Sequence, residues 1–241
     1  MREWAKVSGV RSAPRSGFAG IAAATALLGS AGCTGLEQAN AAGIAHEDVV
    51  SDLAGQLAAG SGLSYTATYR LAGGDTGTIT QAQQPARTAY AYAGGRVIVT
   101  ATGVVKCAGQ DRKAVCTETD PASAESLTPA RDVRLGGTAL VTPAAVLDLL
   151  NTAALDQQIT ALHHDTTIAG RHATCLDLRD VDGVPAGAFG VCVTNEGALA
   201  SFTATVEGTP VDVALTDYSD RADPGAFDIP PQARLVDKRT W

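Results

Sequence analysis

Nothing in this sequence is long and apolar enough to span a bilayer. The main apolar run, Phe18 to Leu28, has eleven residues, whereas a hydrocarbon core needs about twenty. The chain also lacks the motifs that carry chemistry. It has no Gly-x-Ser-x-Gly, no Ser-x-x-Lys set and no Cys–His arrangement for nucleophilic catalysis. It has no phosphate loop and no Gly-x-Gly-x-x-Gly before a helix. Asp180-Val181-Asp182-Gly183 begins like a calcium loop, but the later ligands are missing. No Cys-x2-Cys spacing offers a zinc site. Nothing calls for an enzyme, a cofactor or a metal. Basic residues are also few, 18 Lys and Arg against 25 Asp and Glu, which argues against nucleic acid, a ligand that needs a basic footprint.

What basic charge there is gathers at the start. Arg2, Lys6, Arg11 and Arg15 precede the apolar run, opposed only by Glu3. A positive segment, a short apolar segment and then small residues make an export signal. The run ends in Leu28-Gly29-Ser30-Ala31-Gly32-Cys33. This resembles the bacterial lipobox, with Ala31 and Gly32 in the two positions before the cysteine and Ser30 where Leu is usual. Residues 1–32 therefore read as a lipoprotein signal peptide, cleaved before Cys33, whose thiol takes a diacylglycerol. Two or three acyl chains anchor stably where one is marginal. Ala39-Asn40-Ala41 is the rival, an ordinary A-x-A cleavage site, but it lies some distance past the apolar run. Without its signal the chain carries fourteen basic and twenty-four acidic residues, so anionic headgroups do not attract it. The acyl chains must hold it to the outer face of the cell membrane, secretion being the alternative.

With Cys33 assigned to lipid, four cysteines remain. Export permits disulfides, and local spacing favours Cys107–Cys116 and Cys175–Cys192, each flanking a plausible turn.

Residues 33–45 are small and polar and read as a tether. His46-Glu47-Asp48 then opens a helix, with Val49, Val50, Leu53 and Leu57 at three- and four-residue spacing, closed by Gly60 and Gly62. Beyond it the period becomes two. Leu63, Tyr65, Ala67, Tyr69 and Leu71 share one face, and further alternating runs occupy 76–82, 87–93, 96–105 and 113–119. Residues 120–140 read as a long connection. Thr142 caps a second helix with Pro143 in its first turn. Alternation returns over 158–168, 172–181, 188–194, 200–206 and 211–216, with Ala169-Gly170-Arg171 taken as a three-residue loop. About nine strands with one apolar face each, plus two helices, predict an α+β domain over 46–237: a curved antiparallel sheet whose apolar face is covered by helices.

The inward set comprises Tyr65, Ala67, Tyr69, Leu71, Val97, Val99, Leu176, Leu178, Phe189, Val191, Phe202, Val213 and Leu215. It mixes large groups with alanine, and small side chains on a concave sheet leave volume for an apolar ligand. An ordinary filled core is the alternative, since alanine abounds throughout this chain. Tyr90 and Tyr92 share a face with Thr88 and are further groove candidates. His163 shares a strand face with Asp165 but lacks an evident third metal ligand, and His164 and His172 point the same way if the loop between them has three residues.

The signal with Cys33, the opening helix, the strands from Tyr65 to Val105 and the inserted helix at 142–151 together resemble the LolA/LppX (LppX/LprG-like) envelope lipoproteins of actinobacteria. Cys175-Leu176-Asp177, the stretch from Val191 to Gly197 and the closing Phe227-Asp228-Ile229-Pro230-Pro231-Gln232-Ala233 add to the likeness. The resemblance implies a half-barrel sheet wrapped over helices around an apolar cavity, and binding or carriage of a lipid or other hydrophobic ligand. The alternative is a protein-interaction or sensor module with no internal ligand.

Overall fold

The computed structural model describes residues 48–109, 114–121, 134–135, 138–184 and 186–240. The export signal, Cys33, the tether, His46 and Glu47, and most of the 120–140 connection lie outside the described residues. Among the described residues, no helix is long and apolar enough to cross a membrane.

Residues 48–59 form α1, and α2 spans Pro143–Ala154. Twelve strands follow the alternation: β1 Tyr65–Leu71, β2 Thr76–Gln83, β3 Ala86–Tyr92, β4 Gly95–Thr100, β5 Gly103–Ala108, β6 Val115–Thr119, β7 Thr160–Ile168, β8 Arg171–Arg179, β9 Phe189–Thr194, β10 Leu199–Val206, β11 Thr209–Ser219 and β12 Arg234–Asp237. They make one open sheet in the order β12-β6-β5-β4-β3-β2-β1-β11-β10-β9-β8-β7. The topology is two meanders joined along β1 and β11, which pair antiparallel with a bulge between Thr68 and Tyr69. β6 and β7 lie near opposite ends of the strand order, and α2 belongs to the chain between them. Thr142 Oγ1 accepts the Ala145 N–H and starts that helix beside Pro143, as expected for an N-cap.

Three expectations need correction. The run 96–105 is two strands, not one, because the chain reverses at Ala101 and Thr102, pairing Thr100 with Gly103. The sheet is not wholly antiparallel: β12 runs parallel to β6, with Leu235 opposite Cys116. And the β7–β8 loop has two residues, Ala169 and Gly170, both at positive φ, the geometry that matches strand twist in a tight hairpin. One residue fewer in the loop flips facing parity. His164 lies opposite Cys175 while His172 lies opposite Thr167, so the two imidazoles point to opposite faces.

Both disulfides form as expected, Cys107–Cys116 and Cys175–Cys192, each between directly opposed residues of neighbouring strands.

The two faces of the sheet are buried differently. One main cluster gathers Val50, Leu53 and Leu57 of α1, Val146, Leu149 and Leu150 of α2, and inward residues of β1–β5 and β8–β11. A small second cluster of Ala82, Ala89, Ile98 and Phe227 lies on the other face. Val97 and Val99 belong with the first and Ile98 with the second, as a period of two requires. Phe227 reaches that outer face from a short 3-10 turn, Pro224–Phe227, within the segment that runs from β11 across the back of the sheet to β12.

Candidate functional site

Where α1 ends, the chain comes very close to the β9–β10 turn. A Cβ on Gly60 would collide with the carbonyl of Gly197, so glycine is required there. Gln56 Nε2 donates to the Thr194 carbonyl at 2.8 Å, fixing α1 to the same turn. On the other side Gln81 Nε2 lies within hydrogen-bond reach of the carbonyls of Gly60, Ser61 and Leu63, and Gln83 Nε2 within reach of those of Ser61 and Leu63. Two amide side chains of β2 therefore hold the turn between α1 and β1.

This clamp leaves a gap between the helices and the sheet. A cavity of about 290 Å³ opens between the end of α1, the start of α2 and strands β1–β3. Leu57, Tyr65, Ile79, Tyr90, Pro143 and Leu147 form its apolar walls, with Gln81 and Thr88 as polar elements. Burial, reinforced by the neighbouring Tyr90 and Tyr218 rings, holds the Tyr65 hydroxyl far above its ordinary pKa, and burial pushes Tyr90 up to about 12. Both phenols stay neutral at physiological pH and can serve a ligand only as uncharged hydrogen-bonding groups. Tyr69, deeper in the core, donates its hydroxyl to the Leu199 carbonyl at 3.0 Å.

Of the thirteen residues read from the sequence as cavity lining, all but Val99 are buried, and all thirteen pack in or against the main cluster. Only Tyr65 lines this groove. Ala67, Tyr69, Leu71, Val97, Leu176, Leu178, Phe189, Val191, Phe202, Val213 and Leu215 are covered by packing. Tyr90 and Thr88 do line the groove, whereas Tyr92 borders a different depression. Leu57, Ile79 and Leu147 were missed as lining residues. Strand parity says which face a residue takes, but the helices decide which part of that face stays open.

The outer face carries a larger but more open and more polar depression, about 480 Å³, between Tyr92, Gly95, Arg96 and the 225–231 segment. Arg96 Nη1 donates to the Asp228 carbonyl at 2.9 Å across it. No catalytic constellation accompanies either hollow among the described residues.

On β7, His163 Nε2 lies 3.8 Å from Asp165 Oδ1, and His164 Nδ1 lies 3.9 Å from Asp177 Oδ2. His164 also comes near the sulfurs of Cys175 and Cys192. These sulfurs are bonded to each other, so neither offers a thiolate to an ion.

No protein-family model matches the sequence, and no curated protein does. Two solved structures are similar at low identity. An uncharacterized conserved protein from Thermus thermophilus superposes with a TM-score of 0.47 at 10% identity, over 78% of this chain and 98% of that one. MucB, solved in complex with MucA(peri), superposes with a TM-score of 0.45 at 12% identity, over 78% of this chain and 62% of that one. Likenesses at this level say nothing of ligand or partner.

Proposed function

We propose that this chain is a lipid-anchored envelope protein whose domain is a curved half-barrel, with the helices on its concave side, holding a single apolar chain in the groove between helices and sheet. The observation that carries the reading is the groove itself, walled by Leu57, Tyr65, Ile79, Tyr90 and Leu147 and enclosing about 290 Å³. Small-molecule sites usually begin near 300 Å³. This volume suits one alkyl chain or a similar small apolar group, not a lipid with several buried acyl chains. Curvature is supported by the core. Two helices, each about 10–12 Å across, share one cluster with strands from β5 to β8, a span of nearly the whole sheet order. A flat sheet of that width would leave strands beyond their reach. Two formed disulfides support export, because such bonds persist in oxidising compartments. The anchor rests on Cys33 and the residues before it.

Native mass spectrometry of the full chain taken from membranes tests both parts. Acyl groups on Cys33 and a non-covalent apolar ligand are expected. Leu147→Trp, which fills the groove from its half-buried side of α2, should weaken binding of a fluorescent fatty acid about tenfold or more without unfolding the chain. A wild-type protein that carries no ligand and binds no fatty acid would end the groove reading. A mature chain starting after Cys33 would end the anchor reading.

A second reading, an interaction module without internal ligand, is favoured by a different observation: the open edge of the sheet at β7.

A further inference from the structure

The two edges of the sheet are unlike. β12 has four residues, begins with Arg234 and ends with Asp237. Short and charged, it is a poor template for another strand. β7 has nine residues, none of them Lys, Arg or Pro. Seven of the nine are exposed, including Leu162 at 54%. Among the described residues no strand pairs with its outer side. Apart from the single carboxylate of Asp165, none of the usual devices that blunt an edge is present along it, and an edge of this length offers a row of free backbone donors and acceptors.

We propose that this edge is paired by β7 of a second copy of the chain, antiparallel about His164, so that two sheets continue into one. The argument for a second copy is complementarity of the strand with itself. In that register His163 stands opposite the partner's Asp165, and Asp165 opposite the partner's His163. His163 and Asp165 already share a face 3.8 Å apart. Pairing closes them with their counterparts into a ring of four groups that alternate between imidazole and carboxylate. An imidazole N–H donates to a carboxylate that faces it, whereas two carboxylates in directly facing positions oppose a strand pair. Leu162 faces the partner's Thr166 and gains cover for its exposed side chain. His164 meets its own counterpart at the centre, with the carboxylate of Asp177 beside it at 3.9 Å. The neighbouring in-face registers lose both imidazole–carboxylate pairs. Moving one step either way sets His163 against its own copy, or Asp165 against its own copy. The two-fold axis stands normal to the sheet, so both copies keep their helices on the same side. The groove is not involved, and the pairing stands or falls independently of it.

The test is sedimentation equilibrium of the full chain in detergent, together with amide hydrogen exchange along β7. His163→Glu places carboxylates opposite one another twice per dimer, and Asp165→Lys removes the carboxylate that accepts from the facing imidazole. Each is expected to weaken association about tenfold. The double variant, His163→Glu with Asp165→Lys, sets opposite charges face to face in this register only and should return the affinity to the wild-type value or better. All these positions are exposed, so folding should survive every variant. A full chain that stays monomeric over the accessible concentrations overturns the proposal. So does association that ignores both single variants, or that the double variant fails to restore. Slow exchange, in a monomer, of the β7 amides that point away from β8 would also overturn it, since the edge would then be occupied by the chain's own residues or by another molecule.

Discussion

Asp237 closes the last strand with a carboxylate held well below its ordinary range, at a pKa of about 2. The main cause is the Arg239 guanidinium, which donates from Nε and Nη2 to its two oxygens, aided by the Arg239 backbone N–H. Arg239 also reaches Glu118 on β6 at 2.9 Å, and Glu118 is the residue opposite Asp237 in the ladder. Asp120 is lowered for a similar reason, the hydroxyl and amide of Thr240 donating to it. Both groups have folded values below their unfolded ones, so what they contribute is present above about pH 4 and is lost as pH falls through their folded values. The end of β12 should therefore loosen from β6 between about pH 4 and pH 2 while the core strands hold. Amide exchange of residues 234–240 measured against pH would show it. Asp237→Asn combined with Asp120→Asn should give fast exchange there already at neutral pH, with no further acid step. An acid step that persists in the double variant would assign it to other carboxylates.

At the scale of elements, the two disulfides act on hairpins already aligned by their ladders. The closed loops differ in length, with separations of 9 and 17 residues. In the chain-entropy model removing either should cost about 3 kcal/mol, a little more for Cys175–Cys192. Urea unfolding of Cys107→Ser/Cys116→Ser and of Cys175→Ser/Cys192→Ser measures the two. Equal losses, or losses near zero, would mean that the loop term does not set their worth. These pairs were legible in the sequence because each lies within one local hairpin. The turn at Ala101-Thr102 was not, for it contains no Gly, Pro, Asn or Asp. Its geometry comes from Thr100, whose Oγ1 accepts the Thr102 N–H and donates to the Gly103 carbonyl, a weaker side-chain signal. β12 was missed for another reason. Four residues make no visible period, and their partner lies more than a hundred positions away, opposite Val115–Thr119. The groove was half legible in the same sense. Tyr65, Thr88 and Tyr90 follow from strand parity, while Leu57 and Leu147 join them only through the docking of α1 and α2.

At the scale of the whole molecule, the segment after β11 does more than end the chain. The backbone leaves the middle of the sheet, crosses the outer face of β2–β5 and adds β12 to the far edge. Thr66 ties the start of this crossing, its Oγ1 donating to the Arg221 carbonyl at 2.9 Å and accepting the Asp223 N–H. Phe227 holds the middle. It packs on Ala82, Ala89 and Ile98, and the Arg87 guanidinium carbon sits 4.0 Å over its ring, a contact that helps a cation placed against an aromatic face. Arg87 Nε is buried without a hydrogen-bond partner, so the ring is the partner this cation has on that side. Phe227→Ala should therefore cost about 3 kcal/mol, the lower end for a buried phenylalanine, since its cluster is small. The loss should be local, because the crossing touches neither α1, α2 nor β7–β11 through that cluster. Hydrogen exchange in the variant is expected to rise in β12 and β6 and to stay unchanged in β8–β10. Phe202→Ala, which empties the main cluster instead, should raise exchange across all strands together. If Phe227→Ala also raises it everywhere, the crossing folds as one unit with the main core, and the two faces of the sheet are not energetically separate.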